Sequence, residues 1–106
     1  MRMVTLKKVV LMEDKRRGYE TQMSKWTEAL NQLTSYLKMV RTEQGGDDIL
    51  YGIVTIGTYA RFYYLAPNEQ AMDDYPTTET GSAYELKNDE AEIHKLLSEY
   101  AVKTSY

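Results

Sequence analysis

The first apolar pattern in this chain is a short run, Val9-Val10-Leu11-Met12, inside the stretch Lys7 to Arg16. Successive side chains of a β-strand point to opposite faces. On a strand, Val9, Leu11, Glu13 and Lys15 share one face, while Val10, Met12, Asp14 and Arg16 share the other. We read one strand over Lys7–Arg16, with Met1 to Leu6 as a short lead-in to it. Arg17-Gly18 breaks the pattern.

The period then changes. Met23, Trp26, Leu30, Leu33, Leu37 and Val40 are spaced by three or four residues. That spacing lines one face of a helix, so the chain from Tyr19 to Arg41 is expected to be helical. Met23, Trp26 and Leu30 are expected in the core. No Gly or Pro interrupts this span, and Gly45-Gly46 lies just past its end, where a stop is expected.

A period of two returns at Ile49–Ile56 and Tyr59–Leu65. In the second run Ala60, Phe62 and Tyr64 alternate with Tyr59, Arg61 and Tyr63. Gly57-Thr58 between the runs suits a two-residue hairpin turn, with Arg61 exposed on it. Residues 66–88 form a long flexible loop, with room for a helical turn near Glu69 to Asp73. A final helix starts near Glu90, capped by Asp89 with Glu92 three residues later. Its apolar face is Ile93, Leu96, Leu97 and Tyr100, and the tail after Val102 is expected to fray. The predicted fold is α/β, a small mixed sheet of order β-α-β-β-α. The strand, helix, strand unit calls for parallel strands and a right-handed crossover.

Composition narrows the classes. The 106 residues suit a single domain over 1–106. Cysteine is absent, which removes disulfides, thiolate metal sites and thiol nucleophiles. No apolar run approaches a membrane span or a signal-peptide core, so an intracellular, cytoplasmic or nuclear protein is expected. Net charge is −3, which argues against a generally basic nucleic-acid binder. The charge is uneven, however. Lys7, Lys8, Lys15, Arg16 and Arg17 cluster around the opening strand, and acids dominate from Glu69 onward. The basic cluster is read either as solvated strand flanks or as a phosphate-contacting patch.

Candidate chemistry lies at the end of the opening strand. Glu13 and Lys15 stand two residues apart on one face. A carboxylate can hold Mg²⁺ through oxygen, and a nearby ammonium adds positive charge for a phosphate. Glu-x-Lys alone is a weak signal, because strands often end in charges. On the helix, Gln32 and Tyr36 lie four apart and so on one line. His94 has no partner ligand in view, and Asp47-Asp48 and Asp73-Asp74 read as loop residues. The ten tyrosines could stack on bases, but they also suit a half-buried sheet.

Together, Glu13-x-Lys15, the helix with Gln32-x-x-x-Tyr36, and the hairpin from Tyr51 to Tyr63 resemble the PD-(D/E)XK nuclease superfamily, in its RecB-like branch. The wording of Glu13-Asp14-Lys15-Arg16-Arg17 and Gly57-Thr58-Tyr59-Ala60-Arg61-Phe62 is similar to uncharacterised fungal restriction-endonuclease-like proteins. The resemblance covers about Lys7 to Leu65, and it implies a metal-dependent nuclease. Glu13 would be a metal ligand for Mg²⁺ or Mn²⁺, and Lys15 the catalytic lysine. Gln32 and Tyr36 would order the site or touch the DNA backbone. Asp14, turned away from Lys15 by the pleat, is the less favoured ligand.

The chain also departs from that family. A second carboxylate, an Asp on an earlier strand, is missing before Lys7. This implies a truncated restriction-endonuclease-like core, either a fragment of a longer protein or a shortened relative. The alternative function is a non-catalytic remnant serving in dimerisation or protein interaction. A homodimer that completes the sheet is expected, because an opening strand without a neighbour on one side exposes its edge.

Overall fold

The computed structural model describes residues 2–6, 8–14, 18–44, 48–75 and 83–104. Among them, a mixed sheet of six strands lies between two α-helices. The strands are β1 (Arg2–Leu6), β2 (Val9–Asp14), β3 (Leu50–Ile56), β4 (Tyr59–Leu65), β5 (Asp73–Asp74) and β6 (Tyr84–Glu85). The helices are α1 (Met23–Gln44) and α2 (Glu90–Lys103).

The sheet runs β1-β2-β3-β4-β5, and β6 also pairs with β4. Strands β2 and β3 are parallel, with Val10 opposite Gly52 and Asp14 opposite Ile56. This is the crossover through α1 that the sequence pattern requires. Strands β3 and β4 form the expected hairpin around Gly57-Thr58, where Gly57 has φ of 60°. That left-handed backbone is what a glycine in this turn supplies without strain.

The opening stretch differs from its expectation. The expected single strand over Lys7–Arg16 is seen as β2 over Val9–Asp14, with Lys7, Lys15 and Arg16 outside the described residues, and the expected lead-in is a strand of its own. Strand β1 pairs antiparallel with β2, Arg2 opposite Glu13 and Leu6 opposite Val9. So β2 has neighbours on both sides, and among the described residues the edge belongs to β1. The reason is backbone satisfaction. The alternating, strand-favouring Met3-Val4-Thr5 supplies β2 with the hydrogen-bond partners a buried strand needs.

Helix α1 begins later than its pattern. Tyr19–Thr21 form a 3₁₀ turn and Gln22 is extended, its N–H donating to Tyr19 O at 3.0 Å. Met23, expected in the core, is therefore the first helical residue and is 63% exposed. The buried stripe is Trp26, Ala29, Leu33, Leu37 and Val40, with Leu30 half-buried. In the last turn of the helix, Arg41 donates from Nη1 to Ala66 O at 3.0 Å. Its Nη2 donates to Asp48 O at 2.9 Å and Leu65 O at 3.0 Å. One side chain thus fixes both chain ends of the β3–β4 hairpin against the helix.

Each helix covers one face of the sheet. Val10 and Met12 of β2 join Leu50, Val54, Ile56, Tyr63 and Leu65 beneath α1. Gly52 sits at the tightest point. A Cβ built there would lie 2.5 Å from Leu33 Cδ2, so the missing side chain lets the helix approach. Tyr51, Ile53, Ala60, Phe62 and Tyr84 pack on the opposite face with Ile93, Leu96 and Tyr100 of α2. Val9 and Leu11 are half-buried at the margin of this second cluster.

The segment expected to be a flexible loop over 66–88 contains β5 and β6. In place of a helical turn near Glu69, a tight turn places Asn68 at φ 65° and brings Glu69 N–H to Ala66 O at 3.2 Å. Residues 76–82 lie outside the described residues. The start of α2 is held differently from a capping box. The Asp89 carboxylate accepts from Glu85 N–H at 2.8 Å, and the Glu85 carboxylate accepts from Lys87 and Asn88 N–H. The cap side chain thus closes the preceding turn instead of the helix. Leu97 is 45% exposed, outside the packed face of α2. At the other end, Thr104 is buried and its hydroxyl donates to Tyr100 O at 2.7 Å, so that residue is anchored rather than frayed.

Candidate functional site

Glu13 is the next-to-last residue of β2 and half-buried. By the alternation of the strand it lies on the α2 side, in line with Val9 and Leu11. Its register partners are Arg2 on β1 and Thr55 on β3. The strand beside it is β1, with Arg2 at the paired position. Lys15, the expected catalytic lysine, lies outside the described residues, as do Arg16 and Arg17.

Gln32 and Tyr36 are on α1 and hence on the other side of the sheet. Gln32 is exposed. Tyr36 is half-buried against the α1 core, and its hydroxyl shares a 3.2 Å hydrogen bond with Thr5 Oγ1 of β1. Tyr36 thus straps the helix to the end strand. The structure brings Tyr36 to β1 and leaves Glu13 across the sheet from both helix residues.

Asp14, not Glu13, is the carboxylate on the α1 side. It is 4% exposed, at the carboxyl end of β2. Carboxyl ends of parallel strands are where α/β sheets commonly place ligands. Toward the same end, Arg61 of β4 stacks its guanidinium 4.7 Å from the Trp26 ring centroid. It is half-buried, not an exposed hairpin residue, and its Nε has no hydrogen-bond partner among the described residues. Burial raises the Tyr63 pKa, and a hydrogen bond from Arg61 partly opposes the rise. Lys25 stands 4.7 Å from the Tyr19 ring centroid at the helix entry. Sequence reasoning missed Asp14 and Arg61 as inward-facing charges. The signal was their shared face with Gly52, the position that marks the helix side.

The remaining candidates lie elsewhere in the fold. Lys8 pairs with Asp48 at 3.0 Å, so two expected loop or flank charges join the β2 and β3 entries. His94 is exposed beside Asn88, Glu90 and Ala91 in a shallow, open depression. The tyrosines of the α2 face form a packed aromatic cluster. Tyr100 contacts Tyr51, Phe62 and Tyr75 with ring centroids at 4.6, 5.6 and 5.2 Å. Its hydroxyl donates to Tyr63 O at 2.8 Å, and burial pushes its pKa upward. Tyr75 donates to Glu99 Oε2 at 3.1 Å under Lys103. Partial desolvation, then the Glu99 hydrogen bond, push the Tyr75 pKa up to about 12.

Among the described residues, no group of three or more His, Cys, Asp or Glu side chains converges to hold a metal. No helix among the described residues is long and apolar enough to cross a membrane. Comparison with protein-family models, curated proteins and solved structures finds no match to this chain.

Proposed function

We propose that this chain is a non-catalytic interaction module, a homodimer on a restriction-endonuclease-like core. One observation carries the reading. Glu13 lies on the α2 side of the sheet and Gln32 and Tyr36 on the α1 side, so the expected half-site is divided by the sheet itself. Groups that act on one phosphate must sit within hydrogen-bond reach of it. Tyr36 has a structural partner in Thr5, and the strand next to Glu13 offers Arg2 in place of an acid. These residues serve as scaffold in this reading.

The second reading is a Mg²⁺- or Mn²⁺-dependent nuclease acting on DNA through Glu13, Lys15, Gln32 and Tyr36. It is favoured by the parallel β2–α1–β3 unit followed by the β3–β4 hairpin, the order the resemblance implies. A cleavage assay separates the two. The protein is incubated with single- and double-stranded DNA and RNA plus Mn²⁺, beside Glu13→Ala and Lys15→Ala. The module reading expects no metal-dependent cleavage in any sample. Cleavage by the natural chain that is lost in both variants overturns it in favour of the nuclease.

A further inference from the structure

The two edges of the sheet are built differently. On one side, β4 is followed by two strands of two residues each, Asp73–Asp74 and Tyr84–Glu85. Short strands rich in charge are a common defence against unwanted strand addition. On the other side stands β1, five residues long, Arg2-Met3-Val4-Thr5-Leu6. It carries no Pro, no Lys and no acid, and its one charge is at its first residue. Its outer hydrogen-bonding groups have no strand beside them among the described residues.

The faces of β1 also differ. On the α1 side, Met3 packs against the core and Thr5 is bonded to Tyr36. On the α2 side, helix α2 packs over β3, β4 and β6, and Val9 and Leu11 reach only the margin of that cluster. Val4, opposite Leu11, is half-buried beyond that margin. An undefended edge thus adjoins a partly covered apolar strip.

We propose that β1 adds to the β1 of a second copy of this chain, antiparallel and centred on Val4, fusing two sheets into one. The inference rests on the module reading and names its contact surface. A second copy is the occupant because the strand is complementary to itself. A two-fold axis at Val4 sets Val4 against Val4, Met3 against Thr5, and Arg2 against Leu6. No like charges oppose one another in this register, whereas a parallel in-register pairing would set Arg2 beside Arg2. Antiparallel addition satisfies the open backbone groups and continues the strip through Val4 and Leu11 of both copies.

The absence of natural cysteine makes a clean test. In the full chain, Val4→Cys places a thiol opposite its own copy, close to disulfide range. Its oxidised dimer is expected to form roughly tenfold or more faster than that of Asp73→Cys at the opposite edge, because pairing raises the thiols' effective concentration. Arg2→Cys and Leu6→Cys are expected to cross-link when mixed and not alone, which reads the register. Circular dichroism melts verify that each variant is folded. Sedimentation of the natural chain gives the assembly state. A monomer at every concentration overturns both the dimer and its edge. A dimer in which Val4→Cys links no faster than Asp73→Cys overturns the β1 assignment and leaves the module reading standing. Metal-dependent cleavage overturns the module reading, while the cross-links still report on the edge.

Discussion

The two faces of the sheet solve the same burial problem by different chemistry. Beneath α1 the core is mainly aliphatic, built on Val10, Met12, Leu33, Leu37, Val54, Ile56 and Leu65. Its limit is shape, seen where Leu33 seats on Gly52 with no room for a Cβ. Beneath α2 the core is aromatic, built on Tyr51, Phe62, Tyr84 and Tyr100 with Tyr75 at its rim. Its limit is hydrogen bonding, because a buried phenol needs a partner. Tyr100 finds Tyr63 O and Tyr75 finds Glu99. The aliphatic face is therefore sensitive to volume, and the tyrosine face to protonation. The same division underlies the proposed function, since Glu13 lies on the face away from Gln32 and Tyr36.

The largest expected effect is on the aliphatic face. Leu33 is fully buried, so Leu33→Ala is expected to cost about 2–5 kcal/mol, measured by urea unfolding. Gly52→Ala alone is expected to destabilise by about 1–3 kcal/mol through overpacking. Combined, the new methyl group enters the space that Leu33 vacates. The double variant is expected to be more stable than the sum of the single losses predicts, a coupling that adjacent sites allow. Strict additivity would mean that Gly52 and Leu33 do not meet as described.

A smaller effect belongs to the tyrosine face. The Tyr75 pKa is raised from 10.0 to about 12 in the folded chain. A raised folded pKa contributes stability that is fully present below the unfolded pKa and lost as pH rises toward the folded one. The contribution is thus intact below about pH 10 and fades between about pH 10 and 12. Tyr75→Phe is expected to flatten the alkaline loss in thermal melts across that window. An unchanged slope would remove Tyr75 from the account. Because Tyr75 is only half-buried, the effect is expected to be less than that of emptying the Leu33 site.

Long periodic elements were legible in the sequence, and short or mutually dependent ones were not. The stripe Trp26, Leu33, Leu37 and Val40 announced α1, and Gly57-Thr58 announced the β3–β4 hairpin. Strand β1 escaped because Lys7-Lys8, between it and β2, carries none of the usual turn residues. Strands β5 and β6, at two residues each, are too short to show a period. Alternation on β2 correctly set Val9 and Leu11 on a face different from that of Val10 and Met12. It could not say which of those faces the crossover helix covers, because that depends on contacts between elements. Gly52 carries that information, but only once Val10 is known to lie beside it. For this reason the Glu13, Gln32 and Tyr36 motif reads as one site along the chain and as two locations in space.

The most direct test of that separation is paramagnetic broadening by Mn²⁺ in amide NMR spectra of the full chain. Mn²⁺ broadens resonances according to their distance from the ion, whether or not any cleavage occurs. Without a shared site no ion is held, so Glu13, Gln32 and Tyr36 are expected to show no selective, saturable broadening as Mn²⁺ is added. Selective, simultaneous broadening of Glu13, Gln32 and Tyr36 at low Mn²⁺, abolished in Glu13→Ala, would contradict the account and restore the metal site.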